Sequence, residues 1–183
     1  NDGVVACDFS QIELRVAAAL AGEDTLLHAF AMGRCPHTEV AAKMFGKGNM
    51  DAVTKEERFK AKAVNFGILN GMGAKRLANE LKSSYDTAKK FLYDYRRNLP
   101  RLTEWMEGIW TEAESTGVAK TIAGRPRFFG GHEDTRSAVS VVVQGTAAEL
   151  MRHALVQVEE YGCKPFLTVH DEVLCGQSNV KAH

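Results

Sequence analysis

Two aspartates sit where a carboxylate is hard to keep without a partner. Asp8 closes the apolar run Val4-Val5-Ala6-Cys7, and Asp171 follows Phe166-Leu167-Thr168-Val169-His170. A carboxylate at the end of an apolar strand is expensive unless it is paired or bound to metal. Brought together by a small sheet, two of them repel, and divalent cations relieve that repulsion. Mg²⁺ suits the pair, because it takes few protein carboxylates and keeps places for water and substrate phosphates. Two such ions about 3.5–4 Å apart would stabilise the attacking and leaving oxygens of an in-line displacement at phosphorus. The alternative is a pair of unrelated turn aspartates.

A second constellation follows Thr54. Arg58, Lys62 and Phe66 recur every four residues, so on a helix they spread over only about 80° of surface. Ala61, Val64 and Ile68 fall together on another face, about 240–300° from Arg58. One face can pack while the other offers two cations and a flat ring. That set matches a nucleoside triphosphate, with cations for the phosphates and a ring for base or sugar. The competing reading is a solvated basic face with Phe66 in the core.

Net charge is zero, with 23 Lys plus Arg against 23 Asp plus Glu. The total hides a segregation: residues 1–30 carry net −4, residues 31–101 net +8 and residues 102–183 net −4. A basic middle suits a polyanion and acidic flanks suit metal, although a solvated helical surface would look the same.

The elements that must position these residues can be read from pattern. Val4–Cys7 predicts a short buried strand. Ser10-Gln11-Ile12-Glu13 has capping-box spacing and opens a helix through Leu20 that stops at Gly22. Further helices are expected over Asp24–Met32 and Thr38–Phe45, and from the capping box Thr54–Glu57 to Leu69, where Gly71 and Gly73 break it. Others follow at Ala74–Leu81, Asp86–Arg97 and Arg101–Ser115, the last with Pro100 at its entry. Val118–Ile122 and Arg127–Phe129 suggest a small hairpin, Asp134–Tyr161 one long helix ended by Gly162, and Phe166–Val169 with Val173–Cys175 a second hairpin whose turn is acidic.

The chain has 183 residues, 45% hydrophobic and 25% charged, the profile of a globular protein with a real core. Disorder, collagen and a disulfide-stapled mini-protein are excluded. No run free of Asp, Glu, Lys and Arg exceeds the 12 residues of Ser137–Ala148, a length matched by Ala63–Ala74 and too short to span a bilayer. Cys7, Cys35, Cys163 and Cys175 lack C-x-x-C spacing and read as free thiols of a reducing compartment. Zinc on Cys35 with His37, or on Cys163, His170 and Cys175, is the weaker alternative. No secretory signal is visible, and the chain reads as cut from something longer.

The strings VACDFSQIELR, RFKAKAVNFGILNGMG, QGTAAEL and TVHDEV, in this order, resemble the motifs of family A DNA polymerases, the bacterial DNA polymerase I enzymes and their phage and organellar relatives. The resemblance implies an α+β, mostly helical fold: the palm–fingers portion of a right-hand polymerase with a small, incomplete antiparallel palm sheet. It divides the chain into palm (1–22), fingers (23–133) and palm (134–183), without thumb or exonuclease, so that the isolated segment is expected to be marginally stable and weak or inactive.

The resemblance also assigns roles. It implies template-directed DNA synthesis, in which a primer 3′-hydroxyl attacks the α-phosphate of a dNTP with two Mg²⁺ ions and pyrophosphate leaves. Asp8 and Asp171 match the metal-binding aspartates, with the Phe9 carbonyl a further ligand. Glu13 matches the side chain that crowds the sugar 2′ position. Arg58 and Lys62 match the cations that bind the triphosphate, Lys62 also as proton donor to pyrophosphate. Phe66 matches the ring that stacks by the nucleotide, and Gln11 and Asn70 fall in the same nucleotide-binding set. Arg136, Gln144, His170 and Ser140 match contacts to primer–template DNA, and Glu172 a less essential carboxylate.

The sequence departs from the family pattern at four positions. Asn70 stands where Tyr is usual, Ser140 where Asn is usual and Phe9 where Tyr is usual, the last a mild change because the ligand there is a backbone carbonyl. Phe66 stands in place of Tyr, and without a phenolic hydroxyl it implies poor use of dideoxynucleotides. Partners implied are primer–template DNA and dNTPs, with no membrane and no obligate protein partner. The expected location is the cytoplasm of a bacterial or phage-infected cell, with a eukaryotic organelle as alternative. A non-catalytic nucleic-acid-binding remnant is disfavoured by intact Asp8, Asp171, Arg58 and Lys62. A single-subunit RNA polymerase is disfavoured by Glu13, since a ribonucleotide user needs room at the 2′ position. A nuclease would not need the Arg58 helix.

Overall fold

The computed structural model describes residues 4–130 and 134–176. The expected segment ends at 133 and 183 lie outside those residues. The chain opens with strand β1 (Val4–Asp8) and helix α1 (Ile12–Ala21), which Gly22 ends in the left-handed conformation. Helices α2 (Asp24–Ala31), α3 (Pro36–Met44), α4 (Lys55–Leu69), α5 (Ala74–Glu80), α6 (Tyr85–Asn98) and α7 (Pro100–Thr116) follow. A small hairpin, β2 (Val118–Lys120) with β3 (Pro126–Phe128), leads to the long helix α8 (Ala138–Glu160). Strands β4 (Pro165–Val169) and β5 (Glu172–Gly176) close the described chain. None of the described helices is long and apolar enough to cross a membrane.

One core serves the helical body. Leu14 of α1, Leu26 of α2, Val40 of α3, Val64 of α4, Leu77 of α5, Tyr95 of α6 and Leu102 of α7 belong to a single buried cluster, joined by Val139 and Val143 of α8. Two buried carboxylates tie elements together. Glu23 accepts from the backbone N–H of Thr25 and of Leu102, capping α2 and satisfying a free donor in the first turn of α7. Glu149 of α8 accepts from the Thr121 hydroxyl and the Ala123 N–H, which anchors the turn of the β2–β3 hairpin.

The sheet is antiparallel, in the order β1-β5-β4, with Asp8 opposite Glu172. It has only a small cluster of its own, in which Val173 and Cys175 of β5 meet Met151 of α8.

Several expectations need correction. Ser10–Glu13 forms no capping box: Gln11 is the N-cap, at φ 57°, with no side-chain cap. The Ser10 carbonyl accepts from Arg15 Nε instead. α3 starts two residues early because Pro36 fits its first turn. The long helix begins at Ala138, after a 3₁₀ turn (Thr135–Ser137) that Asp134 caps. β1 is not a buried strand; its five residues are exposed or half-buried, because β1 is an edge strand of a sheet whose only buried cluster rests on α8. Asp8 is therefore exposed, and burial does not force it to seek a partner.

Candidate functional site

The two aspartates are tied through the backbone. β1 runs antiparallel to β5, and just beyond the pairing the Phe9 N–H donates to the Asp171 carbonyl at 3.1 Å. The turn from β4 to β5 is tight because His170 takes φ 54°, a left-handed conformation uncommon for any residue but glycine. Asp8, Phe9, Asp171 and Glu172 thus share one end of the sheet. Asp171, His170, Glu13 and Gln144 also line one cleft of about 710 Å³, with Arg152 on its wall. Glu13 reaches it from the first turn of α1 and Gln144 from α8. Gln11 lies outside that lining; its buried Oε1 has no hydrogen-bond partner among the described residues.

Among the described residues no three His, Cys, Asp or Glu side chains are grouped as in a closed metal cage. Two carboxylates with nearby backbone carbonyls are an all-oxygen donor set. That set fits a hard cation retaining most of its own water, as Mg²⁺ does, better than zinc. The zinc alternatives have other partners: Cys35 meets Arg58, His37 meets Asn65, and Cys163 packs in the cluster of Cys175.

The cationic face lies on α4. The helix starts on the expected capping box, Thr54 bonding the Glu57 N–H and Glu57 bonding the Thr54 N–H. Ala61, Val64 and Ile68 are buried, while Arg58 and Lys62 are exposed and Phe66 is half-buried. Lys62 Nζ stands 5.8 Å from the Phe66 ring centre. Arg58 Nε donates to Cys35 Sγ at 3.4 Å. Burial pushes the Cys35 thiol up, but hydrogen bonds from Thr38, Arg58 and the backbone amides of Thr38 and His37 outweigh it, leaving the thiol below its ordinary value.

His37 joins this face, a position that its sequence neighbourhood beside Cys35 offers only as a zinc ligand. Its ring lies 5.6 Å from Phe66 and its Nδ1 is 2.9 Å from Asn65 Nδ2. Because Asn65 Nδ2 can only donate, Nδ1 is the acceptor and the ring is neutral. Burial first, then the charges of Arg58 and Lys62, push its pKa down to about 4. No local signal marks His37; its partners lie 28 and 29 residues away in the chain.

Asn70, Arg136 and Ser140 meet at a seam between α4 and α8. Ser140 Oγ donates to Asn70 Oδ1 at 2.9 Å. Arg136 and Asn70 line a second cleft, of about 620 Å³, together with Lys75, Arg76 and Arg127. Its Nε and terminal nitrogen bond Asp134 at 2.8 and 2.6 Å, which raises the Arg136 pKa and holds the Asp134 carboxyl below its ordinary range. This basic cleft was missed in the sequence, where Lys75 and Arg76 read only as part of a charged helix.

Comparison with known proteins follows the same lines. The family model for DNA polymerase family A matches residues 1–182. DNA polymerase I, thermostable, of Thermus aquaticus is 40% identical over 184 residues, which cover 93% of this chain and 22% of that protein. DNA polymerase I of Streptococcus pneumoniae is 32% identical, covering 93% and 21%. Among solved structures, the POL domain of Pol1 from M. smegmatis, in complex with DNA primer-template and dNTP, superposes with a TM-score of 0.84 at 29% identity. That match covers 94% of this chain and 33% of the other. The chain therefore spans about a fifth of the length of its curated relatives.

Proposed function

The chain belongs to DNA polymerase family A, and on that premise we propose that it forms the nucleotide-adding part of a DNA-directed DNA polymerase. Residues 1–22 and 134–183 would make up the palm and residues 23–133 the fingers. The observation that carries this reading is the Phe9–Asp171 backbone bond. It joins the backbones that carry Asp8 and Asp171 at one sheet end; Asp171 lines the cleft of Glu13, Gln144 and His170, and Asp8 lines a neighbouring apolar cleft with Val5 and Cys7.

The chain's own residues then divide the work. Asp8 and Asp171, with the Phe9 carbonyl, hold divalent cations, Mg²⁺ by donor chemistry. Cations held there would supply charge neutralisation at the reacting phosphate and a more acidic primer 3′-hydroxyl. Arg58 and Lys62 bind the triphosphate, whose oxygens are stronger acceptors for Arg58 than the Cys35 sulfur. Lys62 gives a proton to the departing pyrophosphate. Phe66 stacks by the base, and neutral His37 fixes the ring's position without adding charge. Glu13 narrows the space for a 2′-hydroxyl. Gln144, His170 and Arg136 orient the primer–template. Catalysis is mainly positioning and electrostatic stabilisation.

The test uses the full chain with a primer–template hairpin, Mg²⁺ and each dNTP in turn. Only the nucleotide complementary to the template is added, and chelation of the cation stops addition. Addition regardless of template contradicts the reading, and no addition by a folded chain makes this segment a part of an enzyme and not an enzyme by itself.

A further inference from the structure

The two departures from the family pattern at Asn70 and Ser140 touch each other. We propose that they form one clasp between α4 and α8, positioning the nucleotide-facing end of α4 instead of acting as separate contacts to nucleotide and DNA. For its consequence in catalysis the proposal rests on the polymerase reading above.

The Asn70 side chain spans the gap with both of its polar atoms. Its Oδ1 accepts from Ser140 Oγ at 2.9 Å, and its Nδ2 donates to the Phe66 carbonyl at 2.9 Å. Turning the amide over would set Oδ1 against that carbonyl, so the observed orientation is the one that satisfies both sides. Phe66 is thereby linked through Asn70 to Ser140 on α8.

The next residue reinforces the join. Gly71 has φ 68°, and a Cβ there would lie 2.5 Å from the Arg136 carbonyl oxygen. That carbonyl is itself held by Trp110 Nε1 at 3.1 Å. Side chain and backbone at 70–71 thus dock on the same short stretch, residues 136–140. A tyrosine at 70 carries a single polar side-chain atom, at the far end of a rigid ring, in place of the separate donor and acceptor of the Asn70 amide. The two unusual residues are therefore complementary as a pair.

The clasp is tested in the full chain with Ser140→Ala, Asn70→Ala, the double variant and Ser140→Thr. Amide exchange is followed at Asn70, Gly71 and Met72, alongside the KM for dNTP and the Kd for primer–template. Ser140→Ala raises exchange at these amides, and the KM for dNTP, by about threefold, the scale of one exposed neutral hydrogen bond. Kd for primer–template stays unchanged. In the Asn70→Ala background, adding Ser140→Ala changes nothing further. Ser140→Thr keeps the hydroxyl and restores the exchange rates. Unchanged exchange in Ser140→Ala, multiplying effects in the double variant, or an effect confined to primer–template Kd overturns the proposal. If the wild-type chain by itself adds no nucleotide, as expected of a segment weak or inactive alone, the exchange data still decide the clasp.

Discussion

In the helical body, Leu14, Leu77, Leu99 and Leu102 are sealed into one cluster shared by eight helices, whereas in the three-stranded sheet only Val173 and Cys175 of β5 are buried. The face of β4 shows the same contrast, with Phe166 61% and Leu167 50% exposed. The chemistry divides along this line. The body can hold a cationic face because α4 is fixed by its buried side. The sheet carries Asp8 and Asp171 at exposed or half-buried positions. Side-chain packing organises one region and backbone pairing the other.

One large-to-small truncation in each region separates the two by where the loss spreads. Leu102→Ala destabilises the chain by about 3 kcal/mol and unfolds the body cooperatively. Val173→Ala costs about 2 kcal/mol or less and raises amide exchange in β1, β4 and β5 alone. Urea unfolding with exchange measures both, and equal global losses would erase the distinction.

His37 gives the body a pH response. Its pKa falls from 6.5 in the unfolded chain to about 4, so the unfolded chain binds more protons between those values. Stability is full above pH 6.5 and is lost as pH falls toward 4, by at most about 3 kcal/mol at 1.36 kcal/mol per pKa unit. His37→Gln flattens the melting temperature across that window. A variant with the wild-type slope would remove His37 from the account.

Arg58→Ala is expected to raise the KM for dNTP by about tenfold to thirtyfold, the scale of a lost charge-assisted hydrogen bond. The maximal rate changes less. A rate loss without a KM change would move Arg58 from binding to chemistry. The smallest effect concerns Phe66, which lacks a hydroxyl to replace a missing 3′-OH. Dideoxynucleotides are expected to be used poorly, with Phe66→Tyr narrowing the gap by about tenfold; single-nucleotide competition assays measure the ratio.

Legibility in the sequence followed the range of the forces. The Thr54–Glu57 box formed because every partner lies within one turn. The same spacing failed at Ser10–Glu13, where the chain must turn left-handed at Gln11 to run from β1 into the packed α1. The buried face of α4 was readable from periodicity. The His37–Asn65 pair and the Asn70–Ser140 bond were not, because they join residues 28 and 70 positions apart. The burial of β1 was misjudged because an apolar strand does not reveal whether its sheet is covered. The aspartates are legible from their places at the ends of apolar runs, while the approach of their backbones depends on the β1–β5 register.

The central claim is that the sheet end performs the chemistry and the α4 face performs the binding. It is tested most directly by single-turnover addition of a matched dNTP by the full chain, comparing wild type with Asp171→Asn. The account predicts a loss in rate at saturating dNTP of about 10³-fold, the scale for removing a transition-state electrostatic group, with dNTP affinity within about threefold of wild type. A variant that adds nucleotide at the wild-type rate would contradict it.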